Sequence, residues 1–562
     1  MPRISSLTAL ELAAEYRAGT LSPVDVVERI IQRVELINPS INALVGTSYE
    51  RARMLAERAE ATLEAHRRAV ALREELLAGG LPVGEGEADD GRRSKPGRAR
   101  GRGVAAGSDP AESAAAGGDV AAGLAAESVA AASAPVGALP PVPELPPLLG
   151  VPFVVSESLA LAAMQHSSGS RYRSDRLAHD DATAVARVIE AGAIPLGVAN
   201  TAELAFWIET DNGVYGRTAS PWDSGRIAGG ASGGVAVLVS AGCVPFGVGV
   251  DMTGSLRVSA HACGVVAHKP TGGLVPLTGL EPMPVGRMQR FTTVGPVARS
   301  VADLDVLLRL MAGPDGADGA AVELELGSVR AWDPMWKRVV LCEDFGFAGL
   351  SVRDETRRAL RLAADVLTEH GAEVEVWQPR QLAESFSIWL SMVHEGYGLL
   401  NNFQDMVAEG ERTGVLWDLV NWPIGRSRLT GPVLAMILAE KATKGSFLQI
   451  QRFAAEGRRL QQRIRTVLNG GGVLLAPVLS GLAPRHGRSL WRPRDVAHSA
   501  VFNVLELPST AVSIAPARGR LPVAVQVVAD HGRDDASLAA AALIERSLRP
   551  VPAPRLRRLR RA

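Results

Sequence analysis

Apolar positions over residues 7–76 recur at helical spacing. Leu7, Leu10 and Ala14, then Val24, Val27, Ile30, Ile31 and Val34, share one face of a helix. Ser22-Pro23 predicts the start of the second helix, since serine caps orphan N–H groups and proline suits the first turn. Asn38-Pro39 predicts its end. At Leu148 the pattern changes to a short β-branched run reaching Val155, which predicts an inner strand. A helix over Asp181–Ala191, closed by Gly192, then leads into a strand at Ile194–Val198. Further strands are predicted at Arg338–Cys342, Glu373–Trp377, Val473–Ala476, Thr510–Ile514 and Val523–Val528. A helix falls at Arg353–His370, and one long helical stretch runs from Leu382 to about Leu468. Helices alternating with strands imply an α/β fold.

Composition divides this pattern. Residues 78–147 turn to Gly, Ala, Ser and Pro, with a basic cluster between Arg92 and Arg102. Too few large apolar groups remain to offset ordering entropy, so 78–147 reads as a disordered, solvated insertion rather than a polyanion-binding loop. The expected organisation is a helical arm over 1–77, that insertion, a core over 148–548 and a basic tail over 549–562. The core subdivides into 148–315, which carries the nucleophile region, and 316–548, which supplies the substrate pocket. Lysine plus arginine equals aspartate plus glutamate at 60 each, so global charge gives no reason to expect a nucleic-acid partner. Cys243, Cys263 and Cys342 are odd in number and widely spaced, which fits a reducing cytoplasm and offers no paired zinc-ligand spacing. Glu11, Glu15 and Arg17 interrupt the N-terminus before a signal peptide or anchor could form. The run Val235–Val250 is too short for a membrane span and is broken by Gly242 and Pro245, so it reads as buried helix, turn and strand.

Two glycine-dense loops carry the candidate chemistry. Gly229-Gly230-Ala231-Ser232-Gly233-Gly234 has so little side-chain bulk that its backbone can approach a ligand closely. Asp251-Met252-Thr253-Gly254-Ser255 sets a hydroxyl beside a glycine, with N–H groups that could face a developing oxyanion. Together they suggest an acyl-transfer site. Neither loop matches a phosphate-binding pattern, and the histidines lack helical metal-ligand spacing, so neither cofactor nor metal is expected.

With these loops go Leu7–Leu12, Gly150-Val151-Pro152, Gly192–Gly197, Thr201–Leu204, Cys263–Val266, His268–Thr271, Phe502-Asn503-Val504 and Val525-Gln526. In this order the motifs resemble the amidase signature family, serine hydrolases that cleave the carbon–nitrogen bonds of amides. The texture of Met164–Gly169, Ile208–Thr210 and Tyr215–Arg217 is most similar to its fatty-acid amide hydrolase branch. The resemblance implies a large mixed sheet covered by helices on both faces, with the N-terminal arm packed across it. It also implies a relay: a nucleophilic serine in the second loop, a bridging serine held by a cis peptide in the first, and a lysine after the strand that follows Gly-x-Pro. The lysine acts as base toward the bridging serine.

By this resemblance Ser255 stands at the nucleophile position. Ala231, 24 residues earlier, takes the bridging position, and Ser156, 75 residues before that, takes the lysine position. Both spacings match the family without a gap, so two of the three relay residues are replaced. Glu157, Ser232, Asp251 and Arg257 match neighbouring polar residues of the motifs. Met252 and Thr253 depart from the usual small residues before Gly254, as do His261, where an apolar residue is usual, and Ala524, where a glycine is usual. The expected function is therefore a degenerate amidase that binds a small amide or acyl ligand, or serves in an assembly, without efficient hydrolysis; a homodimer is compatible with this. The alternative is an active amide or ester hydrolase in which Glu157, His166 or His261 has become the base for Ser255. Each of the three also has a purely structural role open to it. Phe206, Trp207, Trp389 and Trp422 could line a ligand pocket or simply fill the core.

Overall fold

A computed structural model describes residues 4–78, 142–335, 337–397, 403–408, 414–443, 447–514 and 521–554. The basic cluster between Arg92 and Arg102 and the tail beyond 554 lie outside the described residues. The chain divides into two units, Met1–Glu60 with Pro146–Ala562, and Ala61–Leu145. The first 60 residues of the predicted arm thus belong to the same unit as the core.

The N-terminal elements are α1 (Ala9–Arg17), α2 (Pro23–Ile41), β1 (Leu44–Thr47) and α3 (Tyr49–Ala78). Thr8 and Glu11 form a capping box on α1, each side chain reaching the other's backbone N–H. Ser22 caps α2 as predicted, but α2 does not stop at Asn38-Pro39. Proline is accommodated in the last turn, and Asn42, at φ +49, closes the helix with its N–H on Asn38 O. The Asn38 amide oxygen takes the N–H groups of Ala43 and Leu44, which turns the chain into β1, a strand the periodicity did not predict.

The first half of the core comprises β2 (Pro152–Ser156), α4 (Thr183–Glu190), β3 (Ile194–Ala199), a hairpin of β4 (Asp211–Asn212) and β5 (Gly216–Arg217), α5 (Gly233–Ser240), β6 (Phe246–Asp251), α6 (Ser255–Cys263), β7 (Val266–Lys269), α7 (Met288–Phe291), β8 (Thr293–Ala298) and α8 (Val301–Met311). The second half has β9 (Arg338–Leu341), α9 (Asp354–Glu369), β10 (Glu373–Val376), α10 (Ser385–Tyr397), α11 (Phe403–Ala408), α12 (Val415–Asn421), α13 (Gly431–Thr443), α14 (Phe447–Val467), β11 (Val473–Pro477), α15 (Pro493–Val504), β12 (Ser509–Ile514), β13 (Val523–Ala529) and α16 (Asp534–Ser547). The long helical stretch expected from Leu382 is thus a series of shorter helices. One break follows Trp422-Pro423, where Gly425 at φ +71 closes a 3-10 turn.

Among the described residues eleven strands form one mixed sheet, in the order β1-β3-β2-β6-β8-β7-β12-β13-β11-β9-β10. β3, β2 and β6 run parallel, and every residue of the three is buried. That explains their continuous apolar sequences, since both faces of a parallel segment are covered. Phe153 of β2 stacks on Phe246 of β6 with ring centroids 5.2 Å apart. Parallel pairing brings the C-terminal ends of β2 at Ser156 and β6 at Asp251 to the same edge, where open α/β sheets place their ligands. Among the described residues no helix is long and apolar enough to cross a membrane.

Candidate functional site

β6 ends at Asp251, and after three intervening residues α6 begins with Ser255. The turn requires Gly254, which sits at φ +95; a β-carbon there would fall 2.4 Å from Cβ of Ser499. Asp251 Oδ1 accepts the Gly254 N–H at 2.7 Å, and both carboxylate oxygens receive Arg257 at 3.1 Å. Arg257 also donates to Ser499 O, to the Asn503 amide oxygen at 2.6 Å and to the Gln526 amide oxygen at 2.9 Å. Both charges are wholly buried. Burial opposes the Asp251 charge, but Arg257, Lys269 and Asn503 hold the carboxyl below its usual range. The buried pair fixes the loop that presents Ser255.

The first loop closes over Ser255 from the other side. A β-carbon on Gly229 would fall 2.3 Å from Ser259 Cα, and one on Gly230 would fall 2.3 Å from Ser255 Oγ. Only glycines permit this approach. Thr210 Oγ1 donates to the carbonyls of Gly229 and Gly230, which fixes the loop backbone. Ser232 is committed to β6, its hydroxyl donating to Val250 O and accepting the Val250 N–H. The cis peptide implied for this loop is not found: among the described residues the cis bond is Glu281–Pro282.

Ser255 Oγ accepts the Ala231 N–H at 2.5 Å, and among the described residues no side chain bonds to it. Ser156 reaches the other backbone polar group of the same residue, its hydroxyl donating to Ala231 O at 3.2 Å and sharing a 3.0 Å hydrogen bond with Ser158. Ser156 and Ser255 therefore meet at the backbone of Ala231, one on its C=O and the other on its N–H, with no ionisable side chain bonded to either hydroxyl among the described residues. Thr253 Oγ1, in the second loop, is buried and makes no hydrogen bond.

The three candidate bases are engaged elsewhere. Glu157 accepts the N–H and hydroxyl of Ser167, the Tyr215 hydroxyl at 2.9 Å and the Gly169 N–H. Burial pushes its carboxyl up to about 7 against these donors. His261 has both ring nitrogens occupied, by Gly481 O at 3.0 Å and the Ala524 N–H at 3.1 Å, and burial lowers its pKa. This makes it a neutral core histidine. His166 points its Nε2 at Ser158 O.

The residues that brace Arg257 had a signal in the motifs Phe502-Asn503-Val504 and Val525-Gln526. Thr210 had no comparable signal, because its task is to meet two carbonyls that only the folded loop exposes. Lys269, in the quoted His-Lys-Pro-Thr motif, is a buried amine pushed down to about 7, by burial first and then by Arg257; its Nζ donates to Pro270 O. The tryptophans divide. Trp389 and Phe206 are core at 1% exposure, whereas Trp207 and Trp422 wall a cavity.

A mixed α/β sheet with a buried serine opening a helix at its edge, clasped between two glycine loops, defines a serine-hydrolase type of scaffold. The chain belongs to the amidase family, whose model, described as Amidase, matches residues 119–538. It is similar to fatty-acid amide hydrolase 2 of Homo sapiens, 34% identical over 406 residues covering 71% of this chain and 75% of that protein. It is also similar to fatty-acid amide hydrolase 2-B of Danio rerio, 30% identical over 552 residues covering 96% of this chain and 89% of that one. In fold it is like the native peptide amidase of Stenotrophomonas maltophilia, with a TM-score of 0.67 at 20% identity, covering 98% of this chain and 99% of that one.

Proposed function

We propose that this amidase-family protein binds an acyl or amide ligand over Ser255 without hydrolysing it efficiently. The observation that carries the reading is the environment of Ser255 Oγ, which receives the Ala231 N–H and has no side-chain acceptor for its own proton among the described residues. A neutral hydroxyl without a base is a weak nucleophile near neutral pH. In the relay that the resemblance implies, Ala231 would have to carry the bridging hydroxyl and Ser156 the basic amine, and neither does. In other hydrolase triads, losing members that act as a unit lowers turnover by about 10⁴ to 10⁶. Binding requires less than turnover. The glycine loops still bring backbone close to Ser255, and the clamped Asp251–Arg257 turn still presents that serine at the start of α6. The names of the human and zebrafish relatives point to fatty-acid amides as the first ligand class to try. Three free, buried cysteines are consistent with a reducing compartment.

A rebuilt relay has less support, because Glu157 and His261 spend their polar atoms on other partners and His166 turns its Nε2 to Ser158 O. The deciding experiment is a panel of aryl and acyl amides assayed with the purified protein and with Ser255→Ala. The proposal expects turnover close to background in both, together with a ligand-dependent rise in melting temperature. Turnover comparable to ordinary amidases, lost in Ser255→Ala, would overturn it.

A further inference from the structure

A cavity of about 270 Å³ is lined by Trp207 and Trp422, by Glu203, Glu209 and Asp211, and by Arg217 and Arg428. Most of its polar wall is already satisfied. Glu209 accepts the N–H of Gly487 and both the N–H and hydroxyl of Ser489. Asp211 is paired with Arg217 at 2.8 Å. Glu203 differs. Its Oε2 accepts the Thr430 N–H at 2.8 Å, while Oε1 has no partner, although the residue is only 2% exposed. Of the guanidiniums near it, Arg171 donates to Gly213 O and Ser427 O, and Arg428 lies over the Tyr172 ring at 5.8 Å. A buried acceptor without a donor bears its desolvation penalty in full, and a larger one when the group is charged. The space beside it is large enough for a small organic molecule.

We propose that this cavity binds a small protonated amine, with the ammonium donating to Glu203 Oε1 and the carbon body lying against Trp207 and Trp422. Indole faces attract cations, so the two walls and the carboxylate select for the same chemistry. Burial pushes the Glu203 carboxyl up to about 7, and an ammonium beside it supplies the stabilisation that the Thr430 hydrogen bonds and the Arg171 charge provide only in part. A β-carbon placed on Gly230 would fall 2.6 Å from Trp207 O and 2.3 Å from Ser255 Oγ, so the backbone of Trp207 borders the serine loop. The amine site is separate from the acyl or amide reading of Ser255 and does not depend on it.

Calorimetric titration of the full chain with benzylamine hydrochloride at about pH 8, where Glu203 is largely ionised, tests this. Benzyl alcohol serves as the neutral probe of the same shape. Benzylamine is expected to bind about tenfold or more tightly than the alcohol, and Glu203→Gln to remove that preference. Trp422→Ala, at a position 45% exposed, is expected to weaken benzylamine several-fold with little change in the melting temperature of the unliganded protein. Equal binding of amine and alcohol, no benzylamine binding at millimolar concentration, or unchanged amine affinity in Glu203→Gln would overturn the proposal. Should Glu203→Gln fail to fold, the amine-to-alcohol ratio in the parent and the affinity of Trp422→Ala decide it.

Discussion

Glu157 directly follows Ser156, yet it serves the loop at Ser167–Gly169 rather than Ser255. Its pH dependence is a measurable signature. The carboxyl is raised from its ordinary 4.5 to about 7 by burial, so between those values the folded state holds a proton that the unfolded state has lost. Its contribution to stability is therefore complete below about pH 4.5 and falls, on the order of 3 kcal/mol, as pH rises through 7. Removing the ionisable group in Glu157→Gln should flatten the decline of unfolding free energy over that window relative to the parent, as read by urea denaturation at several pH values. Parallel curves would mean the carboxyl titrates normally. At this scale the sequence was partly readable. The positions of Ser255, Ala231 and Ser156 were assigned through the family resemblance, because the motifs that carry them align without a gap. The commitments of His261 could not be read, since Gly481 and Ala524 reach it only through the fold.

The strand–turn–helix from β6 into α6 is the element on which the candidate site rests, and it is held by remote residues. Arg257 joins Asp251 to Asn503 and Ser499 on α15 and to Gln526 on β13. Replacing Arg257 by Met would leave the Asp251 carboxylate buried without its counter-ion, a loss expected to cost about 3–5 kcal/mol. Because Asp251 also holds the Gly254 N–H, ligand binding at Ser255 should fall with it; an unchanged melting temperature would contradict the clamp. Gly254→Ala should be destabilising by a different route, from its φ of +95 and the close approach to Ser499. The turn itself was legible, because an apolar run ending in Asp-Met-Thr-Gly-Ser is a local signal. The break at Trp422–Gly425 was not, since the apolar content around it stays helical in period while Pro423 and Gly425 set the boundary.

Across the whole molecule, strand order was the part hidden from a single sequence. Pairing of β1 with β3, or of β7 with both β8 and β12, depends on contacts between distant segments that leave no local period. That same order brings Ser156 at the end of β2, Ala231 in the loop before α5 and Ser255 after β6 to one edge of the sheet, where the proposed relay positions lie. Restoration therefore tests the entire arrangement. Ser156→Lys with Ala231→Ser would place an amine and a bridging hydroxyl at positions whose present atoms already meet, with Ser156 Oγ 3.2 Å from Ala231 O and the Ala231 N–H on Ser255 Oγ. Neither single substitution should yield more than marginal turnover, because members of such a unit fail together. The double variant should release p-nitroaniline from an acyl anilide well above the parent and lose that activity on adding Ser255→Ala. A parent that already matches the double variant would refute the missing relay. A folded double variant that binds the anilide and stays inactive would show that the cradle around Ser255 has also changed, with Thr253 and its unpartnered hydroxyl the first place to look.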